Sequence, residues 1–494
     1  MNRREFLMAS LAASAGHWLA ATVAQPALTA AAPDWTLGWR GTKDDAFAPM
    51  SMQIDGDIPA ACHGSLYRNG PARIERDGVR CRHWFDGDGL VQHFRIGRTG
   101  VTHDARFVQT EKYEEEQAAG RFLYGGAGTS LPDGLPARNN DTRNVANTAL
   151  LPWDDELLAL WEGGSAYRLD RSDLATLGRK DWRDDLQHMP FSAHPLREAD
   201  GTLWNFGSAP YAGKNGMLFI YGIEPRMGVK VVQSVPLPMA SYMHSFAVTE
   251  HYLLFYLAPH CYNRGAASFV ESFEWKPEQG GRVLLVNKND LSQQRWFEAP
   301  AGFVFHFAHA FERQGEIVAR MALYPTAEVM SQGMFELMQA SNVDNYPDYP
   351  RARLASLRLD TRSGKTRMED AATLIEFPGI DARFALAPTP VFGVGHAADS
   401  TATYSNAVVS VDTESGRVDR YAFPKYHVVE EPLFVAEPGS REAGWLVGTF
   451  LDYSSERTGV YVLDAGNLDA GPVAIATMDR HLPLGFHGGF VRET

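Results

Sequence analysis

The chain has 494 residues, 45% of them hydrophobic and 21% charged, and a formal net charge of −14. That is globular composition with ample apolar material for a large core. Acidity without basic clusters argues against nucleic acid as a partner, and three cysteines with no CxxC argue against a thiolate zinc site.

The first residues read as a targeting segment. Arg3 and Arg4 stand beside Glu5, Phe6 and Leu7, and an Ala-rich apolar stretch follows, ending in Thr29, Ala30, Ala31 and Ala32. The pattern resembles a twin-arginine export signal over residues 1–32, which predicts a periplasmic mature chain, residues 33–494. A Sec signal or a short membrane anchor are the alternatives. No other run of about 18 apolar residues follows, so nothing else is expected to span a membrane. Cys62, Cys81 and Cys261 allow one disulfide at most; three buried thiols are the other reading.

From there the sequence alternates strand and turn. Strands are expected at residues 157–161, 218–221, 252–257, 283–286, 354–359, 407–411, 445–450 and 460–463. Turn signals such as Asp86-Gly87-Asp88-Gly89, Ser363-Gly364 and Glu414-Ser415-Gly416 lie between strands. A few helical stretches are expected, chiefly at residues 326–340, with residues 172–177 as a further candidate. No strict repeat of 40–50 residues and no Pro- or Ser-rich linker appears, so the mature chain reads as one large all-β domain.

No HExxH helix or phosphate-binding Gly-rich loop is present, so any metal site must be assembled from dispersed residues. Four of the 16 histidines stand in suggestive contexts. His194 precedes Pro195, which fixes the backbone beside the ring. His244 lies in the apolar run Tyr242-Met243-His244-Ser245-Phe246. His306 lies in a strand-like run from Phe303 to Phe311. Alternation puts Phe303, Phe305, Phe307, His309 and Phe311 on one face, and His306 with Val304, Ala308 and Ala310 on the other. That smaller face suits a crowded centre, while His309 is expected to pack among aromatics. His487 lies in Leu484-Gly485-Phe486-His487-Gly488-Gly489, where glycines permit close backbone approach. The gaps are 50, 62 and 181 residues. Separate strands carrying one His each can ring an axis only if they radiate around it, as in a propeller. Four unrelated buried histidines are the other possibility.

These contexts, in order, resemble the metal motifs of the carotenoid cleavage oxygenase family. The likeness extends over the mature chain through Gly64-Ser65-Leu66-Tyr67-Arg68-Asn69-Gly70-Pro71, His83-Trp84-Phe85-Asp86-Gly87-Asp88-Gly89, Asn147-Thr148, Leu157 to Gly164, Glu376-Phe377-Pro378 and Glu431-Pro432-Leu433-Phe434-Val435. The resemblance implies a seven-bladed β-propeller capped by loops and short helices. It implies Fe(2+) on the axis, held by His194, His244, His306 and His487, with Glu162, Glu376 and Glu431 on the distal nitrogens of three of them. It further implies Thr148 beside the open metal positions, and cleavage by O2 of a C=C bond in a carotenoid or apocarotenoid. A carboxylate on the second ring nitrogen fixes the tautomer and raises ligand basicity.

Departures bear on the substrate. Family members that cleave lignostilbenes carry a Lys just before the glutamate that is Glu162 here, and Trp161 occupies that position. An apolar polyene is therefore favoured over a stilbene. A stilbene-cleaving dioxygenase, a polyene isomerase on the same scaffold, and a non-catalytic ligand-binding propeller are the rivals. Ser245, His309 and residues 441–444 also depart from the usual neighbours of their motifs. A water-insoluble substrate suggests peripheral membrane contact through Phe122, Leu123 and Tyr124, or through Met334, Phe335, Leu337 and Met338, for which core packing is the alternative role.

Overall fold

The computed structural model describes residues 33–494 except 46, 226, 341–347, 398–403 and 494; the expected export signal, residues 1–32, lies outside the described residues. Residues Asp34–Thr494 form one compact unit. Seven antiparallel sheets make the blades of a β-propeller. All eight expected strands are present, several extended by one to three residues, such as Met217–Glu224 and Arg457–Asp464.

Blade 1 holds Phe47–Ser51, Gly64–Arg73, Asp88–Gly97, Gly100–Phe107 and, innermost, Gly488–Arg492 from the far end of the chain. The inner strands of blades 2 to 6 are Ala149–Trp153, Leu196–Arg197, Ala247–Val248, Phe303–Arg313 and Glu376–Gly379. Blade 7 is built on Gly444–Asp452, whose inner edge pairs with both His427–Val429 and Leu433–Ala436. Its outer edge takes Gln53–Gly56 from the start of the chain, paired with Pro472–Thr477. The two ends thus exchange strands between blades 1 and 7, closing the ring twice and leaving neither blade to be completed by its own segment alone. Between blades, alternating apolar side chains interlock; one cluster joins Phe94, Val101 and Phe107 of blade 1 to Val447, Val460 and Val462 of blade 7.

Two helical expectations differ in outcome. Residues 326–340 hold a π-turn at Val329–Gly333 running into the helix Met334–Gln339. Residues 172–177 are not helical: Asp170 caps a turn by accepting from the backbone and hydroxyl of Ser172, and the chain then enters the strand Thr176–Arg179. That local side-chain-to-backbone bonding competes with helix. A helix at Glu111–Ala119 carries no apolar stripe, so periodicity does not reveal it. Thr110 caps its start and Gly120, in the left-handed conformation, ends it. Its buried face is charged: Lys112 bonds Asp88 at 2.7 Å and Glu116 at 2.8 Å, all three essentially inaccessible. Glu116 also accepts from the backbone N–H groups of Leu123 and Tyr124, tying the following loop down.

That loop and the helix Met334–Gln339 form part of the cap. Phe122, Tyr124, Leu337 and Met338 are buried, Leu123 is half-buried, and Met334 and Phe335 are partly buried against the main core, which fits the packing alternative for most of them. Among the described residues no helix is long and apolar enough to cross a membrane. The three cysteines are free and buried.

Candidate metal centre

Three of the four histidines sit at the entrance to an inner strand. His194, His244 and His487 precede Leu196–Arg197, Ala247–Val248 and Gly488–Arg492, while His306 lies within Phe303–Arg313. Inner strands of a propeller converge on its axis, so residues far apart in sequence meet there. Nε2 of His194 lies 2.8 Å from Nε2 of His244, and Nε2 of His306 lies 3.1 Å from Nε2 of His487. One ligand atom from each of the four falls within 4.8 Å of all the others. Around a six-coordinate ion with metal–nitrogen bonds of about 2.1 Å, neighbouring ligand atoms lie roughly 3.0 Å apart; around a tetrahedral ion they lie roughly 3.4 Å apart. The two short separations fit the first arrangement, and so fit an ion with positions left open.

The donor set fits a metal in a second way. Glu376 Oε2 lies 2.6 Å from His306 Nδ1, Glu431 Oε1 lies 2.8 Å from His487 Nδ1, and Glu162 Oε1 bonds His244 Nδ1. Each carboxylate accepts a hydrogen bond from Nδ1–H and so leaves the lone pair of Nε2 facing the axis. His194 has no carboxylate partner among the described residues. Burial, and then the neighbouring imidazoles, hold its pKa well below the usual range. Burial also draws His487 down to about 4, against the opposing pull of Glu431. Neutral imidazole is the form that binds metal.

The carboxylates are themselves held. Arg68, with 1% of its surface exposed, donates to Glu431 at 2.9 Å and to the Phe486 carbonyl at 3.0 Å. The N–H of Gly488 donates to Glu431 at 2.9 Å. Tyr242 donates to Glu162 at 2.9 Å. Glu376 accepts from the Phe377 N–H at 2.5 Å, and Phe377 holds a positive φ of 50°. Sequence reasoning assigned no role to Arg68 or Tyr242, although both stand inside the motifs it used. A charge between Leu66-Tyr67 and Asn69-Gly70-Pro71, in a motif otherwise without charge, was the available signal for Arg68.

The glycines around His487 behave as their positions imply. A Cβ on Gly488 would sit 2.2 Å from the Tyr67 carbonyl oxygen, and one on Gly485 would sit 2.7 Å from that of Asn69. The alternation expected around His306 does not hold throughout. Two bulges interrupt the pairing, one between Val304 and Phe307 and one between Phe307 and His309. Cross-strand partners therefore put Phe307 on the face of Val304 and Ala310, not with Phe303 and Phe311. A bulge adds a residue to one strand and re-aims its side chains, here beside His306, the candidate ligand. His309 packs 5.4 Å from the Phe311 ring and bonds the Ala385 carbonyl through Nδ1.

Two cavities meet at the centre. A narrow one of about 170 Å³ is walled by His306, His487, Trp84, Phe305 and Phe377 among others. A larger one of about 600 Å³ is walled by Trp161, Tyr211, Tyr262 and Phe269 among others. Phe85, Thr148 and His244 line both. Thr148 is buried; its hydroxyl donates to Asn147 at 3.1 Å and its carbonyl accepts from the His487 N–H at 3.2 Å. It thus stands where the two cavities and a candidate ligand meet.

Comparison with known proteins agrees with this architecture. The family model described as retinal pigment epithelial membrane protein matches residues 42–492. The chain is 30% identical to apocarotenoid-15,15'-oxygenase of Synechocystis over 93% of its own length and 96% of the relative's. It is 28% identical to isoeugenol monooxygenase of Pseudomonas putida over 89% of its length and 94% of the relative's. The crystal structure of the cobalt-substituted Synechocystis apocarotenoid oxygenase superposes with a TM-score of 0.83 at 28% identity, covering 93% of this chain and 98% of that one. With its fold, its ordered motifs and nearly its whole length in agreement, the chain belongs to the retinal pigment epithelial membrane protein family, the carotenoid cleavage oxygenases.

Proposed function

We propose that the protein is an iron(II) dioxygenase that adds O2 across one double bond of a carotenoid or apocarotenoid, giving two carbonyl products. The observation that carries this is the convergence of four imidazoles, three backed by carboxylates, where a largely apolar cavity meets a larger one of mixed lining. Iron(II) bound there would supply a centre that activates O2. Imidazole suits ferrous ion, and a set without a directly ligating carboxylate differs from the two-His-one-carboxylate oxygenases.

The remaining work belongs to the chain. Glu162, Glu376 and Glu431 hold three rings in one tautomer. The aromatic walls at Trp84, Phe85, Phe305 and Phe377 take up an apolar chain and exclude bulk water. Thr148, at the junction of the cavities, restricts the space beside the centre. The reaction balances without a further reductant: one C=C bond is broken, and each carbon takes one oxygen atom of O2.

A second reading has a specific observation in its favour, the likeness to isoeugenol monooxygenase, whose name describes action on a phenolic propene. Against it stands Trp161, which lines the larger cavity where a stilbene-cleaving relative carries a Lys. Indole cannot accept or deliver a phenolic proton.

Residues 1–32 support a twin-arginine route and a periplasmic location, a route that carries folded protein and so allows metal loading before export. Delivery of a water-insoluble substrate from a lipid surface fits this reading.

Iron-loaded protein incubated under O2 with carotenoids, apocarotenoids, hydroxystilbenes and isoeugenol tests the reading, with aldehydes identified by mass and O2 uptake recorded. Cleavage of polyenes and little turnover of the phenols is expected. Turnover of the phenols alone selects the second reading, and isomerised product without O2 uptake selects an isomerase. Failure of the protein to take up iron removes the enzyme reading altogether.

A further inference from the structure

The narrow cavity is aromatic near the axis but not along its whole wall. Arg351, His396 and Ser405 also line it. Arg351 stands just before the third strand of blade 5, Arg353–Asp360. His396 follows the second strand of blade 6, Val391–Gly395, and Ser405 precedes the third, Ala407–Val411. Adjacent strands are about 4.8 Å apart, so these residues lie roughly 5–10 Å outboard of the inner strands that carry His306 and Glu376.

All three are half-buried. Among the described residues Arg351 makes no hydrogen bond or ion pair; Tyr349, in the wall of the same cavity, and the exposed Asp348 act on it only through their fields. His396 makes no hydrogen bond either, and its Nδ1 is closed off from solvent. The other acids of this cavity are already committed: Glu376 to His306, Glu431 to His487 and Arg68, and Glu430 to Thr449 and the Gly485 N–H. A guanidinium and an imidazole without partners in an apolar cavity are costly unless a ligand supplies the acceptors. Arginine's planar fork matches a carboxylate best, and a carbonyl or hydroxyl oxygen less well.

We propose that Arg351 and His396, with the Ser405 hydroxyl beside them, anchor the oxygenated end of a long apolar substrate, a carboxylate in preference to an aldehyde or alcohol. This rests on the cleavage reading given above and extends it. An anchor set outboard of the axis fixes how far along its length the chain lies against the centre, and so selects the double bond that is cut.

The test uses three linear polyenes of one length, ending in carboxylate, aldehyde or methyl. Their binding to the full-length, metal-loaded protein is titrated by quenching of tryptophan fluorescence, and cleavage products are sized by mass. The acid is expected to bind at least about tenfold more tightly than the methyl-ended chain. Arg351→Met should remove most of that difference and scatter cleavage over more than one bond, while Arg351→Lys should retain part of it. Equal binding of all three polyenes by the unaltered protein overturns the proposal, with no variant required to fold. An acid preference that survives Arg351→Met also overturns it. Cleavage without end-group preference sinks the anchor and leaves the cleavage reading standing. Selective binding of the acid with no bond cut sinks the cleavage reading and leaves the anchor standing.

Discussion

His306 and Glu376 meet across the boundary between two blades, with Nδ1 of the first 2.6 Å from Oε2 of the second. In this pair one blade supplies the ring and the next fixes its tautomer and direction. His487 and Glu431 repeat the arrangement across the closure of the ring, since the His leads into blade 1 and the Glu belongs to blade 7.

Replacing Glu376 by Gln keeps the shape but removes the charge that makes His306 a strong donor. Metal affinity is expected to fall by roughly 10–100-fold, with the fold intact by circular dichroism. His306→Ala, which removes the donor itself, should leave no measurable metal binding. Competition with a chelator of known affinity separates the two outcomes.

Lys112→Met leaves Asp88 and Glu116 with only Arg76 as a shared cation in a site closed to water. Arg76, 3.1 Å from Asp88, compensates only in part. Breaking a buried charge set by removing one member costs about 3–5 kcal/mol. Denaturant unfolding should show that loss. Proteolysis should cut first near residues 122–124, whose backbone Glu116 holds.

Gly488→Ala would drive a Cβ to 2.2 Å from the Tyr67 carbonyl oxygen, so backbone beside His487 must move. A loss of roughly 1–3 kcal/mol in stability is expected, together with weaker metal binding. Gly100→Ala, where nothing lies within 4 Å, serves as the control and should change neither.

Stability should fall as pH drops below about 6.5, for reasons separate from the metal centre. Burial lowers His93 and His103 to about 3 and His260 to about 4. All three are at most 2% exposed. In the unfolded chain they take up protons near pH 6.5 while the native state does not, so the unfolded state binds more protons and gains on acidification. Each contributes a slope of about 1.4 kcal/mol per pH unit between its folded value and pH 6.5. Thermal unfolding between pH 8 and 4.5 reads this directly. A melting temperature that stays level across that window would contradict it, and His260→Phe should reduce the slope.

The sequence by itself determined the all-β class, the positions of the strands and the short contexts around the four histidines. Those depend on local chemistry: alternation, turn residues, and the small or rigid neighbours of each ring. The likeness to a family supplied the blade number. Tertiary structure alone decided what no window of sequence contains. The bulges that re-aim Phe307 arise from cross-strand pairing, which alternation within one strand cannot report. The helix Glu111–Ala119 has a charged inner face, so apolar periodicity missed it, and the carboxylate that Lys112 meets, Asp88, opens a strand of blade 1 some twenty residues earlier. Arg68 gained its role only when closure of the ring brought Glu431 of blade 7 and Phe486, just ahead of the closing strand, against it. Convergence on an axis is a property of the closed ring, and long-range contacts of that kind are fixed only when all seven blades are in place.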